Sequence, residues 1–99
     1  MLVEFRTRKL ERAFTESNQA VRLWGVPVAR KYIQRVQAIT AAQNFEDIRA
    51  LRSFRAHQLE GQRSGQWAID LTEQWRLIVA LSEDQQVVTV EEVTNHYGD

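Results

Sequence analysis

Residues 54–81 read FRAHQLEGQRSGQWAIDLTEQWRLIVAL, and the alternation in this stretch decides the fold. Trp67, Ile69 and Leu71 alternate with Gln66, Ala68 and Asp70. Trp75, Leu77, Val79 and Leu81 alternate with Arg76, Ile78 and Ala80. A period of two is the mark of a strand with one face buried. Upstream, Phe54 and Ala56 point one way and Arg55, His57 and Leu59 the other. The segment from Glu60 to Gly65 is a connection with a glycine at each side, and Thr72-Glu73-Gln74 closes a tight hairpin without an Asn-Gly signal. Three consecutive antiparallel strands are expected.

Beyond this stretch, Ser82 to Gln85 turns again, and Val88, Val90 and Val93 lie in a last strand. Before it, the period changes. Leu2-Val3-Glu4-Phe5 reads as a short first strand. Thr7 is a cap for a helix carrying Leu10, Ala13 and Phe14, and Ser17 or Asn18 caps a second piece with Ala20, Val21, Leu23 and Trp24. Gly25 and Pro27 interrupt, and proline at a first turn restarts the helix. Ala29, Tyr32, Ile33, Val36 and Ile39 form its apolar stripe; Arg30, Lys31, Gln34, Arg35 and Gln37 take the rest. Asn44, three residues before Asp47, caps a short turn that sends Phe45, Ile48 and Leu51 inward. The expected class is α+β, with N-terminal helices packed on one face of a small antiparallel sheet.

Ninety-nine residues make a single domain, 1–99, with room for two layers. The chain has no cysteine, so neither a disulfide framework nor a thiolate metal site is available. No apolar run approaches a membrane span, and the N-terminus lacks a signal-peptide core, so a cytoplasmic protein without a membrane role is expected. The net charge of zero conceals an asymmetry: residues 1–67 carry twelve Lys/Arg against six Asp/Glu, residues 68–99 one against seven. The basic part suits a polyanion or an acidic partner, or is simply the solvated side of surface helices. A neutral total argues against strong non-specific nucleic-acid binding.

Glycine-rich phosphate loops and nucleophile elbows are absent. What remains is a set of polar residues on one side of the strands. If Trp75 and Leu77 face the helices, Arg76 emerges on the opposite face. His57 points that way too, and Asn95, His96 and Tyr97 follow the last strand. These are the groups for RNA cleavage without a cofactor or metal. A base takes the 2′-hydroxyl proton, that oxygen attacks the adjacent phosphorus, and an acid protonates the departing 5′-oxygen. Arginine meets the charge growing on the phosphate, and histidine titrates in the right range. Each residue also has a plainer role. His57 fits an exposed strand position, and Arg76 can pair with Asp70 or Glu73 across the hairpin. His96 fits a tail, Tyr97 can anchor the chain end, and Arg55 and Arg63 can line a solvated face.

The run His57-x-Leu59-x-Gly61-x-Arg63-x-Gly65-x-Trp67-x-Ile69, followed by Gln74-Trp75-Arg76, resembles the signature of HigB-type toxins in the RelE/ParE superfamily. Trp24-Gly25-x-Pro27 and Glu92 to Gly98 extend the resemblance to most of the chain. It implies a compact toxin fold and ribosome-dependent, metal-free cleavage of messenger RNA. It also implies neutralisation by a cognate helix-turn-helix, HigA-like antitoxin, with operator DNA bound only through the antitoxin complex. The motif positions fall on His57, Arg63, Arg76, Asn95, His96 and Tyr97. His57, Arg76, His96 and Tyr97 are then the catalytic candidates, and Arg55, Arg63 and Asn95 the substrate-binding ones. Two positions depart from the family pattern. Glu60 stands where a basic residue is common, and a carboxylate there repels phosphate. The tail reads Asn95-His96-Tyr97-Gly98 where Asp-Tyr-His-Gly is usual.

Two other functions use the same fold differently. A non-catalytic binder, either a gyrase-inhibiting toxin of the ParE branch or a degenerate antitoxin-binding protein, relies on the helical arm. An interaction module offers its acidic C-terminal third to a basic partner.

Overall fold

Helices and strands follow one another as the period changes predict, and the computed structural model describes residues 1–61 and 65–95. Strand β1 (Leu2–Phe5) leads into α1 (Arg8–Thr15), α2 (Ser17–Trp24), α3 (Val26–Ala41) and α4 (Phe45–Arg49). A 3₁₀ turn at Arg52–Phe54 precedes β2 (His57–Gln58), β3 (Gln66–Asp70), β4 (Arg76–Leu81) and β5 (Val87–Thr94). Thr7 accepts a hydrogen bond from the Leu10 amide at 3.2 Å, and Asn44 accepts one from Asp47 at 3.1 Å, so both caps act as expected. The cap of α2 does not: Ser17 is already its first residue, and Glu16 precedes it without a side-chain bond. Gly25 has φ 84° and ψ 167°, a conformation other residues resist, and this lets α3 restart one residue later.

The five strands lie in the order β1-β5-β4-β3-β2. All pairs are antiparallel except β1 with β5 at the edge, which is parallel. The expected antiparallel sheet is present in β2 to β5, and β1 adds a parallel strand at its edge, separated from β5 in sequence by the helical arm and the rest of the meander. A bulge between Ile78 and Val79 places two residues, Glu91 and Glu92, between the partners Val90 and Val93. That extra residue explains how Val90 and Val93, three apart, both pack toward the helices.

One sheet face carries Ile69, Leu71, Leu77, Val79, Val88 and Val90, all buried against the helices with Tyr32, Val36 and Ile39. Fully burying each such side chain contributes roughly 1.5–3 kcal/mol. Trp67 packs edge-on to Phe45 at 5.1 Å, as a scaffold residue should. Two residues, one after α4 and one on α3, depart from their expected placement. Leu51 is 41% exposed, whereas Arg35, assigned to the polar side of its helix, is only 4% exposed.

The first strand of the quoted stretch is the main revision. Among the described residues, the ladder with β3 consists of His57 and Gln58, opposite Ala68 and Trp67. Phe54 belongs to the 3₁₀ turn, and Arg55 lies in the left-handed region at φ 47°. A positive φ breaks strict alternation, so the strand begins two residues later.

Candidate functional site

The sheet face away from the helices is organised by strand register. One row across it is His57, Ala68, Ile78 and Glu92; the next is Asp70, Arg76 and Thr94. Partners opposite each other in an antiparallel sheet share a face. The face is not bare: Leu59, Ala68 and Ile78 form a small buried cluster of their own beneath the polar residues. Polar groups therefore stand on a fixed apolar floor.

Arg76 is held on two sides. Its Nε donates to Asp70 Oδ1 at 2.9 Å, with both side chains 18% exposed. Its Nη1 lies 3.3–3.4 Å from the carbonyls of Thr72, Glu73 and Trp75 around the hairpin. The cross-hairpin pairing with Asp70 is thus realised, and it coexists with exposure on the face predicted for Arg76. Arg55 reaches the same carboxylate, Nε to Oδ2 at 3.5 Å, from a far more exposed position. Arg35 approaches from beneath. Its Nε donates to the Asp70 backbone carbonyl at 3.0 Å and its Nη2 to Ser53 at 3.4 Å, while the guanidinium sits 4.3 Å over the Phe54 ring. Burial holds the Arg35 guanidinium below its ordinary pKa range, with the charge of Asp70 opposing that shift.

His57 is exposed, and its Nδ1 lies 3.2 Å from the carbonyl oxygen of Arg55. A carbonyl only accepts, so that contact requires the proton on Nδ1. The neutral ring then presents Nε2 as its basic nitrogen. Strand spacings put the His57 and Arg76 Cα atoms roughly 12 Å apart, two strands across and two residues along.

Among the candidates, His57, Arg55 and Arg76 share this face. Asn95 is exposed immediately after Thr94, the residue opposite Arg76. Arg63, His96 and Tyr97 lie outside the described residues. Sequence reasoning named Asp70 only as a possible pairing partner and missed its position between two cations. The signal was present: a hairpin closed over Leu71 and Trp75 puts Asp70 opposite Arg76. Arg35 carried no such signal, because its helical position reads as polar surface. Glu92 also belongs to the face, so with Asp70 it offsets Arg55 and Arg76. Among the described residues no three His, Asp or Glu side chains gather as a metal site. A groove of about 600 Å³ lined by Val26, Pro27, Arg30, Lys31, Gln34 and Thr72 lies instead beside α3. It meets the site only at Thr72. No helix among the described residues is long and apolar enough to cross a membrane.

Solved toxins share this fold. A YoeB/ParE toxin from Agrobacterium tumefaciens superposes with a TM-score of 0.60 at 12% identity, covering 98% of this chain and 100% of that one. The E. coli DinJ-YafQ toxin–antitoxin complex gives 0.58 at 12% identity, covering 95% and 90%. The YoeB-YefM complex from Staphylococcus aureus gives 0.56 at 11%, covering 98% and 99%. No curated protein matches the chain. The family model for the RelE-like toxin HigB of type II toxin–antitoxin systems matches residues 3–96, nearly the whole chain, which therefore belongs to the HigB-like toxin family.

Proposed function

We propose that this toxin is a messenger-RNA endonuclease acting on the ribosome, in the cytoplasm. A cognate antitoxin of the helix-turn-helix, HigA-like kind restrains it, and operator DNA is bound only through that complex. The observation that carries the reading is Arg76, fixed by Asp70 on the same sheet face as His57 and Arg55. In this arrangement His57 Nε2 accepts the 2′-hydroxyl proton. The 2′-oxygen attacks the neighbouring phosphorus, and Arg76 meets the charge that develops on the non-bridging oxygens. The bond to the 5′-oxygen then breaks as an acid, for which His96 is the candidate, delivers a proton. The products are a 2′,3′-cyclic phosphate and a free 5′-hydroxyl. Arg55, Arg63 and Asn95 hold the flanking backbone, and Tyr97 stacks on a base. The ribosome supplies the local RNA concentration that a chain of zero net charge does not secure for itself.

The test is growth arrest on induction. Arg76→Ala, folded by circular dichroism, should lose it; retained arrest would remove Arg76 from the role. One observation favours a second reading. Asp70 and Glu92 balance Arg55 and Arg76 on the face, and Glu60 adds a further carboxylate near β2, which suits a toxin that binds without cutting. A gyrase-blocking toxin of that kind would arrest growth with messages intact and a DNA-damage response.

A further inference from the structure

Three arginines from separate parts of the chain converge on Asp70, each through Nε. Arg76 reaches Oδ1 at 2.9 Å, Arg55 reaches Oδ2 at 3.5 Å, and Arg35 reaches the backbone carbonyl at 3.0 Å. The links differ in character. The Arg76 pair is sheltered, at 18% exposure on each side, whereas the Arg55 side chain is 76% exposed. An exposed pair is weak, so Arg55 can exchange Asp70 for a phosphate at little cost. The sheltered pair, braced by the hairpin carbonyls on Nη1, keeps Arg76 in one plane and one rotation.

We infer that Asp70 is the positioning residue of this site: its carboxylate fixes the Arg76 guanidinium in the orientation that meets the reacting phosphate. The inference rests on the RNA-cleavage reading and deepens it. A carboxylate between two cations lowers the positive potential that an incoming polyanion feels. Asp70 therefore opposes RNA binding while supporting the chemical step, because pre-set donors act without reorganising as charge develops. Rate and affinity should then respond to its removal in opposite directions, which a purely structural carboxylate would not produce.

The experiment uses the full chain as wild type, Asp70→Ala and Asp70→Asn. It combines single-turnover cleavage of message on ribosomes, affinity for an RNA oligonucleotide at fixed ionic strength, and solvent exchange of the Arg76 Nε–Hε proton by NMR. Asp70→Ala should slow cleavage by about 10- to 100-fold, raise RNA affinity, and expose the Arg76 Hε to rapid exchange. Asp70→Asn keeps one acceptor oxygen and should fall between the two. If Asp70→Ala fails to fold, Asp70→Asn alone carries the comparison. Wild-type cleavage in the variants, an unchanged Arg76 Hε, or parallel loss of rate and affinity would overturn the proposal. If the wild-type protein cuts no RNA, the cleavage reading fails by itself. The Hε exchange and the oligonucleotide affinity then decide whether Asp70 holds Arg76 and opposes the anion.

Discussion

Tyr32→Phe removes one oxygen from the centre of the helical layer. The Tyr32 hydroxyl donates to the Leu10 carbonyl at 2.7 Å and ties α3 to α1, while its fully buried ring leans on Trp24 at 4.8 Å. The ring stays in the variant, so apolar burial is unchanged and only the hydrogen bond is lost. A buried bond of this kind contributes about 1–1.5 kcal/mol at neutral pH, with the stranded carbonyl adding to the cost of removing it. For a domain of this size that is a drop in Tm of roughly 4–10 °C. A second signature follows from ionisation. Burial raises the Tyr32 phenol well above its ordinary 10.0. The unfolded chain then releases this proton first, so the wild type loses stability as pH rises through 10.0 toward the higher folded value. By pH 11 that loss is about 1.4 kcal/mol, comparable to the hydrogen bond itself. Phenylalanine has no such proton, and all other groups cancel in the comparison. Urea unfolding of both proteins should therefore give midpoints that are well separated at pH 7 and converge near pH 11. A gap that stays constant across this range, or one under ~0.3 kcal/mol at pH 7, would refute the argument.

Gly25→Ala should destabilise by about 1–3 kcal/mol, read as a lower urea midpoint with an unchanged slope. No atom lies within 4 Å of the added methyl group, so the cost is backbone strain alone. Glu60→Lys should tighten binding of an RNA oligonucleotide about fivefold at low salt, with the gain shrinking as ionic strength rises. A gain independent of salt would show that charge at this exposed position is not the cause.

The alternations from Trp67 to Leu81 specified which residues face the helices, although Ala68 and Ile78 on the other face are buried as well. Thr7, Asn44 and Gly25 marked helix boundaries through local chemistry that needs no distant partner. The parallel edge pair was not legible: β1 and β5 lie at opposite ends of the chain, and no local pattern records their direction. Nor was Arg55, whose left-handed backbone interrupts an alternation that looks regular in letters. For the site, alternation put Arg76 and His57 on one face, whereas the role of Asp70 needed the register of two strands and a helix at once. Arg35 shows the same limit from the other side. An arginine on an amphipathic helix reads as surface until the carbonyls of Ser53 and Asp70 are known to lie above it. The departures at Glu60 and the tail were plain in the sequence, and they bear on chemistry rather than fold.

Mapping the 5′ ends of messenger RNA in the first minutes after induction tests the central claim most directly. Ribosome-linked cleavage predicts discrete new ends at a fixed position in the reading frame, carrying 5′-hydroxyls. In Arg76→Ala these ends should fall roughly 100-fold or more, while the variant remains folded. Growth arrest with no new ends, or ends that persist undiminished in Arg76→Ala, would contradict it.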